Sequence, residues 1–587
     1  MSTNQPSPLF SNMVEMLQKQ AEKYGDKKAF IYLVNGETSH FLTYRELDAR
    51  ARIVASFLQK KGVARGERAL LVFPSGLDFI YTFFGCLYAG VIAVPAYPPN
   101  KHVDRLQAIA VDAKANVALT TSKIIKGMKT RLSSVRGLDG LEWLASDEIT
   151  RTEENRYDPI SIDQAETAFL QYTSGSAGSP KGVVLNHTNL VSNVHMLHTG
   201  SQSEDSWTVV TWLPMYHDMG MIGTILQPLY TGATCIVMAP VEFLQKPYHW
   251  LKALSDYRAE YSGAPNFAYD LCVARISDEQ MKTLDLSHWK IAFSGAEPVR
   301  HHTVARFIEK FSACGFKPES FYPTFGLAET TLMVTGAGVE DPPRFHTVDA
   351  EALKQDRVVA ADETTKETLT FVGCGHPWFD TQVRIVHPET WEMCGEGEVG
   401  EIWVAGSIVA QGYWNRPDAT EETFHVRIKD TGEGPFLRTG DLGYVHNGHL
   451  FITGRLKEVI IIRGKNHYPQ DLEFTAEQSH PALIQNASAA FSILEKGEER
   501  LVIVAELNRH YHLDTEPPET VHPGRLSLSK KEVLRSVRQS ISECHELQVY
   551  DLVLIPQGKM MKTSSGKIQR RAMKQAYLDR SLERLDG

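Results

Sequence analysis

The segment Tyr172-Thr173-Ser174-Gly175-Ser176-Ala177-Gly178-Ser179-Pro180-Lys181-Gly182 places three glycines, three serines and a threonine just after the apolar run Ala168-Phe169-Leu170. Glycine lets backbone amides come close to an anion, and small hydroxyl residues add donors without bulk, so the segment reads as a phosphate cradle. A Walker loop needs Gly-x-x-x-x-Gly-Lys followed by Ser or Thr; counting on from Gly175 puts Pro180 at the second glycine, which argues against that family. Taken alone, a Gly/Ser cluster serves equally well as a surface turn. Further polar groups stand in Pro214-Met215-Tyr216-His217-Asp218, Phe293-Ser294-Gly295-Ala296-Glu297-Pro298, Tyr322-Pro323-Thr324-Phe325-Gly326-Leu327-Ala328-Glu329-Thr330-Thr331 and Arg438-Thr439-Gly440-Asp441. Near the end come Gly454-Arg455-Leu456-Lys457-Glu458, then Tyr468-Pro469-Gln470-Asp471, then Lys562-Thr563-Ser564-Ser565-Gly566-Lys567. A Ser/His/Asp hydrolase is the sharp rival for such residues, but the chain has no Gly-x-Ser-x-Gly elbow.

Elements that must position these groups alternate between helix and strand. A helix is expected from Phe10 to Tyr24, where Met13, Met16, Leu17 and Ala21 recur at helical spacing. Strands are expected at Ala69-Leu70-Leu71-Val72-Phe73, Asn116-Val117-Ala118-Leu119-Thr120, Trp207-Thr208-Val209-Val210-Thr211, Cys235-Ile236-Val237-Met238 and Trp289-Lys290-Ile291-Ala292-Phe293. That order predicts α/β layers with parallel sheet. From Gly400 on, Glu401-Ile402-Trp403-Val404 and His449-Leu450-Phe451-Ile452 read as strands beside turns such as Asn447-Gly448, and a β-rich subdomain is expected there. Past Gly454, Glu458-Val459-Ile460-Ile461-Ile462, Leu501-Val502-Ile503-Val504-Ala505 and a helical stretch from Ser529 to Cys544 suffice for a small α+β domain.

A chain of 587 residues has room for several core units, and its formal net charge of -10 argues against a general nucleic-acid binder. Seven scattered cysteines without a C-x-x-C pair fit buried thiols in a reducing compartment. The start, Met1-Ser2-Thr3-Asn4-Gln5-Pro6, lacks a basic-then-apolar signal, so a cytoplasmic protein is expected. The apolar run from 79 to 96 approaches bilayer-spanning length, but Gly85, Gly90 and Pro95 interrupt it, and no transmembrane segment is expected.

In their order these motifs resemble the acyl-adenylate-forming (ANL) superfamily. The Tyr468-Pro469-Gln470-Asp471 signature, with an insertion at about 344–370, is similar to its fatty acyl-AMP ligases. The resemblance covers nearly the whole chain. It implies an α/β fold: a large N-terminal domain, 1–455, of layered α/β subdomains plus the β-rich subdomain, then a small mobile α+β C-terminal domain, 456–587, hinged at Lys457. It implies ATP-dependent conversion of a medium- or long-chain fatty acid to acyl-AMP with release of pyrophosphate, for transfer to an acyl carrier protein. The carrier is expected in trans, because the chain ends soon after Arg570. A fatty acyl-CoA synthetase is the nearest alternative; a silent nucleotide- or acyl-binding protein is another, against which intact Lys567 and Glu329 speak.

The resemblance also assigns roles. Thr173, Ser174, Gly175, Ser176, Gly178 and Lys181 hold the β- and γ-phosphates, Glu329 helps hold Mg2+, and Lys567 bridges the attacking carboxylate and the α-phosphate. Two anions must meet, so cationic and amide donors have to converge. Phe325, followed by Gly326, offers adenine a flat face with Ser294, Gly295 and Ala296 on the other side. Asp441 takes the ribose hydroxyls, Arg455 a ribose or phosphate oxygen, and His217 stands beside the acyl carboxylate. Ala328 departs from the superfamily, most of which has a threonine there that reaches the α-phosphate; Thr330 is the candidate substitute. The basic tail of Lys559, Lys562, Arg570, Arg571 and Lys574 is expected to help dock an acidic carrier.

Overall fold

The computed structural model describes residues 7–98, 103–132, 135, 137–149, 157–173, 180–339, 341–462, 465–495, 498–514, 525–563 and 566–585. Two large sheets dominate the first two-thirds of the chain. One has nine strands, in the order His376–Pro377, Met333–Gly336, Phe321–Gly326, Ile291–Ser294, Tyr261–Gly263, Thr208–Thr211, Thr234–Val237, Lys28–Val34 and Glu37–Thr43. Its middle strands run parallel. The other has six, in the order Glu142–Ala145, Val117–Thr120, Arg68–Val72, Ile92–Ala96, Thr167–Thr173 and Lys181–Asn186. Such strands are covered on both faces, which is why they read as continuous apolar runs rather than alternating ones.

Local chemistry sets the element boundaries. The first helix is Met13–Tyr24, begun by Asn12, whose side chain accepts the Glu15 amide. Thr43 and Glu46 form a reciprocal capping box at the start of Tyr44–Lys60. The bilayer-length apolar run resolves into the helix Leu77–Tyr88, buried except at Asp78, and the fully buried strand Ile92–Ala96. A Cβ on Gly85 would lie 2.4 Å from Val54 Cβ, so glycine is what allows these two helices to touch. Among the described residues, no helix is long and apolar enough to cross a membrane.

After the nine-stranded sheet the expected insertion forms a hairpin, Phe345–Asp349 against Thr368–Val372, with the short helix Ala350–Leu353 between. The expected β-rich region is a four-stranded antiparallel sheet in the order Gln382–Val386, Gly400–Ala405, Leu437–His446 and His449–Arg455. Asn447 and Gly448 turn its last hairpin with φ of 48° and 78°, both positive as a type I′ turn requires.

The remainder centres on the sheet Leu483–Glu495, Glu498–Leu507 and Val549–Pro556, flanked by the helices Pro469–Gln478 and Lys530–His545. Its apolar side chains form two clusters of their own, one around Leu472, Leu501, Val533 and Leu552 and another around Phe491, Val504 and Met573. Neither shares a residue with the main core, which runs through Phe83, Trp250, Trp289 and Phe307.

Candidate functional site

The carboxyl ends of the parallel strands, the four-stranded sheet and the C-terminal segment together enclose a cavity of about 1640 Å³. Thr173, Lys181, His217, Asp218, Ala296, Phe325, Gly326, Glu329, Asp441, Arg455 and Lys567 all line it. Ligands of open α/β sheets bind at this end of the strands, because the loops there carry free backbone donors.

Thr173 ends one strand and Lys181 begins the next, and the two residues pair in antiparallel register. Ser174, Gly175, Ser176 and Gly178 lie outside the described residues. The Lys181 ammonium sits 4.5 Å from the centre of the Tyr413 ring. The Tyr413 hydroxyl in turn donates to Glu329 Oε1 at 2.8 Å. Burial pushes the Glu329 carboxyl up, while the Tyr413 hydrogen bond opposes that shift. This relay from loop to carboxylate was invisible in sequence, since Gly412-Tyr413-Trp414 reads like any aromatic pair after a turn.

Asp441 sits at a braced irregularity within the strand Leu437–His446. Gly440 has φ +71°. Glu401, 1% exposed, accepts the Gly440 amide on Oε1 at 3.1 Å and Arg438 Nε on Oε2 at 2.9 Å. Trp403 Nε1 donates to the same Oε2 at 3.0 Å. Asp441 pairs with Arg455 across the hairpin and accepts its Nε at 2.9 Å. Burial raises the Asp441 carboxyl, opposed by Arg455, and Asp441 holds the guanidinium above its ordinary value.

Lys567 is tied to Thr563, whose amide donates to the Lys567 carbonyl at 2.7 Å and whose Oγ1 accepts the Lys567 amide at 3.0 Å. Gly566, with φ +84°, lies against Phe267; a Cβ there would come within 2.8 Å of the ring. Arg570 then clamps the segment with a bidentate pair to Glu473, 2.6 and 2.7 Å, and a third bond to Glu458 at 2.7 Å. Burial lowers the Lys567 ammonium, as does Arg455, whereas Asp218, Glu297 and Asp441 raise it. His217 is pulled down to about 3 by burial, with Lys567 and then Arg105 adding to the shift, so its imidazole is neutral at physiological pH. Burial raises Asp218, whose Oδ1 accepts the Met219 amide at 2.8 Å.

Several expectations fall away from the cavity. Thr330 is fully buried, its hydroxyl donates to the Leu327 carbonyl at 2.9 Å within its own turn, and it is not among the residues that line the cavity beside Ala328. Ser294 and Gly295 shape the turn rather than line the space: Ser294 is fully buried, and a Cβ on Gly295 would meet Thr324 Oγ1 at 2.6 Å. Ala296 does line it, held at φ +71°. The basic tail is divided: Arg570 is the interior clamp, Lys562 donates to the Asn486 carbonyl at 2.7 Å, Lys559 forms an exposed pair with Glu583 at 2.8 Å, and Arg571 and Lys574 line the cavity. Asp218 and Arg105, both cavity-lining, were not singled out in sequence. Arg105 follows the undescribed residues 99–102 in a helix with no motif to mark it.

Among the described residues no cluster of three His, Cys, Asp or Glu groups could hold a metal by itself. Glu329 alone still suits magnesium, a hard cation that keeps few protein carboxylates and takes most of its oxygen ligands from substrate phosphates and water.

A layered α/β scaffold that converges anion-binding and carboxylate groups on one cavity defines a nucleotide-using enzyme that activates an acid. The chain belongs to the AMP-binding enzyme family, which matches residues 17–414. Residues 457–586 match the AMP domain of Disco-interacting protein 2-like proteins. The chain is 43% identical over 589 residues to the medium-chain-fatty-acid–[acyl-carrier-protein] ligase JamA of Moorena producens, covering 99% of this chain and 97% of that one. It is similar to the structure of a fatty acyl-adenylate ligase from L. pneumophila in complex with acyl adenylate and pyrophosphate: 38% identity, TM-score 0.76, 99% of both chains. A structure from work on the fatty acyl-adenylate ligases of E. coli and L. pneumophila aligns with TM-score 0.86 at 28% identity, over 98% of this chain and 99% of that one.

Proposed function

We propose that this chain activates a fatty acid with ATP to form acyl-adenylate and pyrophosphate, then passes the acyl group to the phosphopantetheine thiol of an acyl carrier protein. The observation that supports the reading best is the shared cavity. Lys567, from a segment with its own core, lines the same space as Glu329, Asp441, Arg455 and His217.

In the reaction a carboxylate oxygen attacks the α-phosphorus, the new P–O bond forms as the bond to the bridging oxygen breaks, and pyrophosphate carries off the electron pair. Lys567 places an ammonium between the two anions, where its charge counts most in the crowded transition state. Lys181 and Thr173 hold the departing phosphates beside the loop, Asp441 accepts ribose hydroxyls, and Phe325 packs on the base. Neutral His217 donates to the acid without adding charge. Magnesium, held by Glu329 and phosphate oxygens, supplies further charge neutralisation when bound.

Residues 1–455 and 456–587 act as two units in this reading, hinged at Lys457, an exposed residue between the strands His449–Arg455 and Ile460–Ile462. A cytoplasmic setting accords with seven free cysteines, five of them buried. The test is acid-dependent pyrophosphate release, followed by addition of either a holo carrier protein or CoA. Acyl-carrier formation with little acyl-CoA is expected; rapid accumulation of acyl-CoA would favour a synthetase instead.

A further inference from the structure

From the reacting centre the cavity runs back along one face of the nine-stranded sheet. Tyr261 pairs with Ile291 and Phe293 with Tyr322 on parallel neighbours, and residues two apart share a face, so these four side chains form one wall. Leu197 and Ser201, at the end of the helix His187–Ser201, also line the space. Tyr261 and Ile291 stand at the amino ends of their strands, away from the loops that carry the polar site. The six residues from Ile291 to Ala296 make five steps, at most about 16 Å of extended backbone. An extended chain covers that distance in about a dozen bonds.

The deep end of this wall is not hydrocarbon-like. Tyr261 is 3% exposed, yet its hydroxyl has no hydrogen-bond partner among the described residues. Tyr322 is 5% exposed, and its hydroxyl has only a contact of 3.5 Å to the Gly200 carbonyl, at the outer limit of a hydrogen bond. Gly200 and Gly336 leave the room it occupies: a Cβ on either would come within 3.3 and 2.7 Å of that oxygen. The Ser201 hydroxyl donates to the Leu197 carbonyl at 2.7 Å and keeps its lone pairs for a donor. A phenol stripped of water without gaining a partner is costly, and a plain alkyl chain laid against Tyr261 would leave its hydroxyl so, with Tyr322 keeping only its long bond to Gly200.

We infer that Tyr261 and Tyr322 form a polar floor that selects a fatty acid of about a dozen chain atoms with a hydrogen-bonding group, a hydroxyl or carbonyl, near its far end. The inference rests on the adenylation reading and names the acid that reading leaves open. One hydrogen bond gained at the floor corresponds to a preference of about tenfold.

The experiment compares dodecanoic acid with ω-hydroxydodecanoic acid in pyrophosphate release by the full chain, as kcat/KM. The hydroxy acid is expected to win by about tenfold. Tyr261→Phe and Tyr322→Phe should each bring the ratio toward one, raising the plain acid as the hydroxy acid falls. Two separate variants guard against one that folds poorly. A ratio at or below one in the parent, or a preference that both variants leave intact, overturns the inference while adenylation stands. No acid-dependent release from either acid overturns adenylation and the inference with it.

Discussion

Around the nine-stranded sheet, cavity residues are backed by close-packed apolar side chains: Trp250 lies among Trp212, Phe243, Tyr269 and Trp289, with ring centres 5.5 to 6.0 Å apart. Where the C-terminal segment meets that body, contacts are mainly charges and amides. Arg300 donates to Asn486, whose Nδ2 donates to Asp270 at 3.0 Å; Asn466 donates to Asp356 at 3.0 Å, and Lys465 reaches Glu351 at 2.7 Å. Apolar contact there is sparse: Phe474 stacks on His302 at 4.2 Å, and Tyr468 packs with Val348, Leu442 and Phe451. A dry core resists sliding, whereas polar pairs exchange for water at small net cost. On the proposed reading the contrast separates the two halves of the site: the nucleotide seats stand on the apolar body, and the ammonium that completes them stands on the segment held by exchangeable polar contacts.

Breaking the rigid side should have the largest effect. Trp250→Ala is expected to destabilise the whole fold by about 3–5 kcal/mol, seen as a lowered urea midpoint. Glu401→Gln comes next. It weakens the charge-assisted bonds that brace Asp441, so KM for ATP should rise by about tenfold with a smaller change in kcat. Asn486→Ala sharpens the contrast from the other side: it should cost about 1 kcal/mol of docking, read as faster hydrogen exchange near Arg300, while the urea midpoint barely moves.

The smallest expected effect is on pH. Burial raises Asp471 to about 7, with Arg300 and Arg570 opposing that shift and Glu473 adding to it. A carboxyl raised by docking favours the docked state while protonated. That contribution is complete below its ordinary value near 4 and lost as pH rises through about 7. Protection at the joint should therefore be greater at about pH 5.5 than at pH 8, and Asp471→Asn should flatten the difference.

Much of the scaffold was legible because buried parallel strands announce themselves as short apolar runs: Arg68–Val72, Val117–Thr120, Thr208–Thr211 and Ile291–Ser294 all fall where composition put them. The cavity residues Glu329, Asp441, Arg455 and Lys567 were legible through motif order. What sequence could not carry was commitment. Whether Thr330 or Arg570 is available depends on partners 3 or about 100 residues away, Leu327 and Glu473 respectively. Tyr413, Tyr261 and Tyr322 look like any core aromatics until the cavity shows what their hydroxyls face.

The central claim is that Lys567 serves the first half-reaction from a releasable segment. It is tested most directly by giving the Lys567→Ala enzyme either ATP with fatty acid or preformed acyl-adenylate with holo carrier protein. The account predicts that adenylation falls by about a hundredfold or more while transfer stays within about threefold of the parent. Equal loss in both reactions, or adenylation left intact, would contradict it.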